Sequence, residues 1–288
     1  MVAGEESSGE SRYQRQSRGR VQNRNVPIER EPRFVPTYYE QAHEVRRPVY
    51  YSQEVDRVNS AAGLNWVLKV TNNDAPLNEL QVQAHFRSID RYSQRLDQEE
   101  EKAPLFFGRG IDFMLVQDYE NALKDMERAL ELDPQLAMAH FARAVIRTRQ
   151  LEYQSTLGSE PALGDNLPDR DITALSDLPG ASPRTKVSLE AIEYDAILKE
   201  YETVIRIAPE FIFAYYNRAE IYLIEQDYRS AIVDYTKAIS LEPQFAEAYF
   251  NRGISRLAIG ETREGLDDLR QAGELGIVQS YSIIKRMQ

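Results

Sequence analysis

Histidines, carboxylates and arginines are the side chains that could do chemistry here, and their spacing decides which chemistry is open to them. His43, His85 and His140 are scattered, with no His-x-x-x-His or Glu-flanked pair that would hold a metal from one helix face. Cysteine is absent, which removes disulfides, thiolate metal sites and cysteine nucleophiles. No phosphate loop, nucleophile elbow or dinucleotide fingerprint occurs, so the reading assigns no catalytic residues, no metal site and no cofactor. What remains is two periodic charge series. Arg109, Arg143, Arg218 and Arg252 stand in register with Asp125, Glu200, Asp234 and Asp268. One reading makes the arginines a ladder for phosphate or carboxylate ligands. The other pairs each arginine with an acid nearby, where a planar guanidinium bonds a carboxylate through two N–H groups. The equal spacing of both series favours the structural ladder.

Composition narrows the partners. The 288 residues carry a net charge of −11, which argues against nucleic acid, because phosphate binding needs clustered surplus Lys and Arg. No apolar run of about 18 residues exists, so the sequence gives no membrane-spanning helix. The opening MVAGEESSGESRYQRQSRGR is polar and offers no signal-peptide core. Residues 1–20 are expected to be a disordered tail or linker, since they have almost nothing to bury. From Val21 to about Thr71, β-branched and aromatic residues mix with prolines that exclude a helix. Short extended segments are expected there, with Pro27, Pro32 and Pro36 on exposed edges. Asp74-Ala-Pro-Leu reads as a helix start, and Val82, Phe86, Ile89, Tyr92 and Leu96 as one apolar face of a helix over about 77–97.

After Ala103 the chain repeats itself. ELDPQLAMAHFARA, RIAPEFIFAYYNRA and SLEPQFAEAYFNRG are versions of one phrase, and Pro209 and Pro243 stand 34 residues apart. The first unit has Gly110, Phe113, Asp118-Tyr119, Ala122, Ala129 and Pro134. The third has Tyr215, Ala219, Tyr222, Asp227-Tyr228, Ala231, Tyr235, Ala238 and Pro243. The fourth has Tyr249, Gly253, Gly260 and Ala272, with Gly265 where Ala is usual. The second is split, with Ala144 before and Tyr201, Val204 and Pro209 after an insertion at about 151–190, and Ile197 at a place that is normally small. A two-helix unit of this period and pattern resembles the tetratricopeptide repeat (TPR). The resemblance implies an all-α TPR helical-repeat solenoid of about four helix pairs plus a C-terminal capping helix over 103–288. A small extended/β-plus-helix module over 21–102 precedes it. More narrowly, GRVQNRNVPIEREPRFVPTYYE, FGRGIDFMLVQDYENAL and AGELGIVQSYSIIKRM resemble the C-terminal part of long TPR proteins of Bacteroidetes bacteria. In that family further repeats and a secretion signal come first, so the chain reads as a C-terminal piece or a shortened relative. A cell-envelope address is implied by that resemblance alone, with the cytoplasm as the alternative.

In this fold the first helix of each unit lines a concave groove. Phe107, Phe141, Tyr216 and Phe250 share one place on those helices and either grip an extended peptide or pack between helices. Asn217 and Asn251 follow the last two rings and are candidates to hydrogen-bond a peptide backbone. His140 falls at an aromatic place and reads as a packed ring. The expected function is a protein–protein interaction scaffold that takes a protein or extended peptide in the groove. The competing reading is an enzyme or enzyme-accessory site within residues 21–102.

Overall fold

The computed structural model describes residues 29–38, 50–61, 64–72, 76–157 and 184–287. In chain order, β1 (Val35–Thr37), α1 (Gln53–Ser60), β2 (Lys69–Thr71) and α2 (Glu79–Gln98) precede four helix pairs. These are α3 (Ala103–Leu115) with α4 (Tyr119–Leu132), and α5 (Ala137–Leu157) with α6 (Arg184–Ile207). Then come α7 (Ile212–Ile224) with α8 (Tyr228–Leu241), α9 (Ala246–Ala258) with α10 (Thr262–Glu274), and the closing helix α11 (Gln279–Met287). The all-α solenoid is therefore the architecture, and the described residues add one sheet of two strands. The tail at 1–20 lies outside the described residues, as do residues 158–183 of the insertion. The ends of that insertion continue α5 to Leu157 and begin α6 at Arg184.

Local chemistry sets the boundaries of each pair. Asp118 caps α4 by accepting the Asn121 N–H at 3.2 Å, and Asp227 caps α8 by accepting the Ser230 N–H at 3.1 Å. Just before these caps the chain turns through the left-handed region, at Gln117 (φ 65°) and Gln226 (φ 61°). Gly260 (φ 85°) does so one period after Gln226, where a missing Cβ makes the turn cheap. Small residues let the paired helices approach. A Cβ on Gly265 would lie 2.9 Å from the Gly253 carbonyl oxygen and 3.0 Å from Leu257, so the departure from Ala in the last unit has a steric cause. Gly265→Ala is expected to destabilise by about 1–3 kcal/mol, read by urea unfolding, because neither backbone can yield cheaply. Ile197, at its normally small place, is fully buried.

The N-terminal part departs from the sequence reading in four places. Residues 53–60 form a helix, because Ser52 accepts the Val55 N–H, Glu54 and Asp56 occupy the first turn, and no proline intervenes. The long helix starts at Glu79 and not near 77, since Asn78 and Gln81 close a capping box. Its inward face is His85, Ser88, Ile89 and Tyr92, while Phe86 points outward at 52% exposure. Pro36 is buried, not exposed, and stands opposite Val70 where β1 pairs antiparallel with β2. Phe34, Val35, Tyr38 and Tyr50 join the same buried cluster as the solenoid's helices.

Candidate functional site

The segment before β1 lies along the solenoid, and two buried carboxamides hold it. Asn217 on α7 accepts the Phe34 N–H at 2.9 Å and donates to the Phe34 carbonyl at 2.7 Å. Asn251 on α9 accepts the Glu31 N–H at 2.9 Å and donates to the Glu31 carbonyl at 2.9 Å. A carboxamide sets an acceptor beside a donor, so it meets one residue's N–H and C=O as a neighbouring strand would. Three extended residues span about 10 Å, so each clamp belongs to one repeat. The segment runs against the order of the repeats: Glu31 lies at α9, Phe34 at α7, and the Tyr38 hydroxyl 3.5 Å from the Gly108 carbonyl of α3. Gly108 and Ala142 stand where the later units have Asn, which confines the clamps to α7 and α9.

An aromatic box anchors the segment between the clamps. The Phe34 ring, 3% exposed, lies 4.7 Å from Phe213, 5.1 Å from Tyr216, 5.3 Å from Phe245 and 6.2 Å from Tyr50. The Tyr216 hydroxyl also donates to the Glu31 carbonyl at 3.0 Å. Among the four rings singled out by sequence, Tyr216 meets the segment. Phe107, Phe141 and Phe250 are fully buried, and Phe141 packs 5.1 Å from Phe211 and 6.0 Å from Tyr201. Sequence reasoning missed Phe213 and Phe245. A signal for Phe245 exists: it stands two residues after Pro243, as Phe211 does after Pro209.

Acids complete the groove, all of them buried except Glu152. Arg33 pairs with Glu152 of α5, and Arg30 approaches Glu220 of α7 at 3.9 Å. Glu220 accepts from the Tyr235 hydroxyl and, at 2.8 Å, from Asn251, while burial pushes its carboxyl above the ordinary range. Glu247 receives the Tyr50 hydroxyl at 2.6 Å, and the Glu31 carboxylate receives Gln279 at 2.8 Å. Glu220 and Glu247 were also missed, although both break the repeat at places held by Val145 and Ile254, and by Met138 and Phe213.

The arginine series turns toward the acids of its own units. Arg109 meets Asp125 through two bonds of 2.7 Å, Arg218 meets Asp234 through two of 2.7 Å, and Arg252 meets Asp268 at 2.8 and 2.7 Å. In the split unit Arg143 lies 2.7 Å from Glu200, which also receives His140 at 2.8 Å. His140 is thus a packed ring with a polar partner. Burial opposes ionisation of Glu200, but the bonds from His140 and Arg143 outweigh it and hold the carboxyl below the ordinary 4.5. The unfolded chain then binds more protons than the native one between those two values. The stabilisation from Glu200 is fully present above the ordinary value and is lost as pH falls through the native one. Glu200→Gln is expected to lower stability near neutral pH and to flatten the acid limb, read by urea unfolding from about pH 7 to about pH 3.

Two other features remain, and the seated segment reaches the first: its Tyr38 ring lies 6.3 Å from His85. His85 Nδ1 sits 2.6 Å from Asp112, both fully buried, and the Ser88 hydroxyl beside them receives Asn65 and Trp66. Both side chains are closed off from solvent. A cleft of about 520 Å3 opens between Tyr51–Glu54, the turn at 207–212, and Leu241 with Glu242. Among the described residues, no group of three or more His, Asp or Glu is placed to hold a metal, and no helix is long and apolar enough to cross a membrane.

With this geometry in hand, the likenesses to known proteins fall into place at the level of the repeat. Family models described as Tetratricopeptide repeat match residues 212–245 and 114–136. The chain carries tetratricopeptide repeats, stacked as a helical solenoid. Among solved structures, a crystal structure of MamA is 16% identical at a TM-score of 0.49, covering 70% of this chain and 95% of that one. MamA 41-end from Desulfovibrio magneticus RS-1 is also 16% identical at 0.49, covering 69% and 90%. The TPR2B domain of yeast Sti1, solved as a complex with pHsp70, is 24% identical at 0.31, covering 35% and 87%. No curated protein matches the sequence.

Proposed function

We propose that this solenoid is a protein–protein interaction scaffold whose concave face holds an extended polypeptide. The observation that carries the reading is the pair of buried carboxamides, each closing two hydrogen bonds on one residue's backbone. Backbone clamping of this kind gives affinity for extended chain, and side-chain pockets add selectivity. The net charge of −11 and the buried glutamates fit a polypeptide better than a nucleic acid. The resemblance to Bacteroidetes repeat proteins belongs to the same reading, since the phrase over 19–40 contains the segment seated on α7 and α9. The alternative of an enzyme in 21–102 would have to open a path to His85, which is fully buried against Asp112 of α3.

The test is affinity capture from the native host with the intact chain and with Asn217→Ala plus Asn251→Ala, followed by cross-link mapping. A partner that is lost from the double variant and cross-links to α7 or α9 is expected. Equal recovery by both chains, with cross-links elsewhere, would contradict the groove as the binding face.

A further inference from the structure

A buried Asn at the groove face is not something the fold itself needs. Gly108 and Ala142 fill the same place in the first two units, and those units pack without a carboxamide. Asn217 and Asn251 are fully buried, and their bonds to Glu31 and Phe34 are made to main chain. Main chain is common to every extended polypeptide. Selectivity therefore rests on the side chains that enter closed places. Glu31 is 4% and Phe34 3% exposed, while Pro32 between them faces solvent. Phe34 enters the box of Phe213, Tyr216 and Phe245, and Glu31 meets Gln279. The proline holds φ in the extended range and has no N–H to leave unmet.

From this we infer that the face of α7 and α9 recognises an extended Glu-x-x-Phe segment in a partner protein. Residues 29–38 are its intramolecular occupant, which that partner displaces. The inference rests on the scaffold reading above and adds its sequence pattern and its control. A tethered occupant acts at an effective concentration in the millimolar range, so a free segment of equal intrinsic affinity competes poorly until the occupant is weakened. The groove is then closed by default and opens to partners of higher affinity or valency.

The test titrates full-length chains with a fluorescein-labelled peptide, IEREPRFVPTY, read by anisotropy. The Phe34→Ala chain is expected to bind it about tenfold or more tightly than the unchanged chain, because its own segment has lost its anchor. Adding Asn217→Ala should remove that gain, and a peptide with Ala in place of its Phe should not bind. Equal affinity of the unchanged and Phe34→Ala chains, or indifference to Asn217, overturns the proposal.

If Phe34→Ala does not fold, the cysteine-free chain permits another arm: a dye on Pro32→Cys should shift its emission when excess peptide displaces the segment. No shift at saturating peptide overturns displacement. Concentration-dependent dimers would assign the site to a second copy and overturn the intramolecular arrangement. If the peptide binds no chain while a host partner still depends on Asn217 and Asn251, the Glu-x-x-Phe pattern falls and the scaffold reading stands. If the host partner is indifferent as well, both fall.

Discussion

Replacing Asn217 and Asn251 together by alanine is expected to release residues 29–38 while α3–α11 stay helical. Asn217→Ala strips the Phe34 N–H and C=O of their partner, and Asn251→Ala strips the Glu31 N–H while the Tyr216 hydroxyl keeps the Glu31 carbonyl, at about 1–3 kcal/mol for each group left unmet. Three such groups exceed what one short segment can recover by docking its phenyl ring, so undocking becomes the lower state. The total loss is then capped by the docking free energy, because the freed backbone finds water. Urea unfolding should show a lowered midpoint, and limited proteolysis should cut near residue 33 early. Each single variant should give a smaller loss. A double variant as stable as the unchanged chain would mean that the clamps hold nothing of consequence.

The charge ladder makes the second large prediction, and its rungs differ in how many cations face each acid. Asp234 has Arg218 as its bidentate partner, and burial pushes its carboxyl up despite those bonds. Arg218→Ala leaves that carboxylate desolvated and should cost about 3 kcal/mol, the low end for one-sided breakage, since Arg218 keeps 17% exposure. Asp268 receives Arg252 and also Arg256 at 2.7 Å. Arg252→Ala should therefore cost about half as much, because Arg256 remains. In the cycle with Asp234→Ala, the Arg218 pair should show a coupling of about 0.5–3 kcal/mol. Equal losses at Arg218 and Arg252 would contradict this account of the rungs.

What sequence makes legible here is what is local. A repeat of two helices writes its small, aromatic and proline places within one period, and that is enough to fix the solenoid and its four pairs. The ladder shows itself in the same way, as two series with one spacing. The helix over 53–60 is masked in sequence by the prolines that precede it, up to Pro48, although Ser52 caps it and its first turn is acidic. What fills the groove is not local at all. Glu31 lies 220 residues from Asn251, and Phe34 lies 183 from Asn217. No periodicity links them, since an extended segment with prolines carries no pattern that names its receptor. The partial signals were the glutamates at 220 and 247, polar residues at places that other units keep apolar.

Amide hydrogen exchange on the intact chain tests the central claim most directly. If the groove grips the segment by its backbone, the Glu31 and Phe34 amides exchange far more slowly than an unstructured chain of that sequence. Asn251→Ala should release protection at Glu31 first, and Asn217→Ala at Phe34. Exchange of both amides at unstructured rates, in a chain whose helices remain protected, would contradict the account.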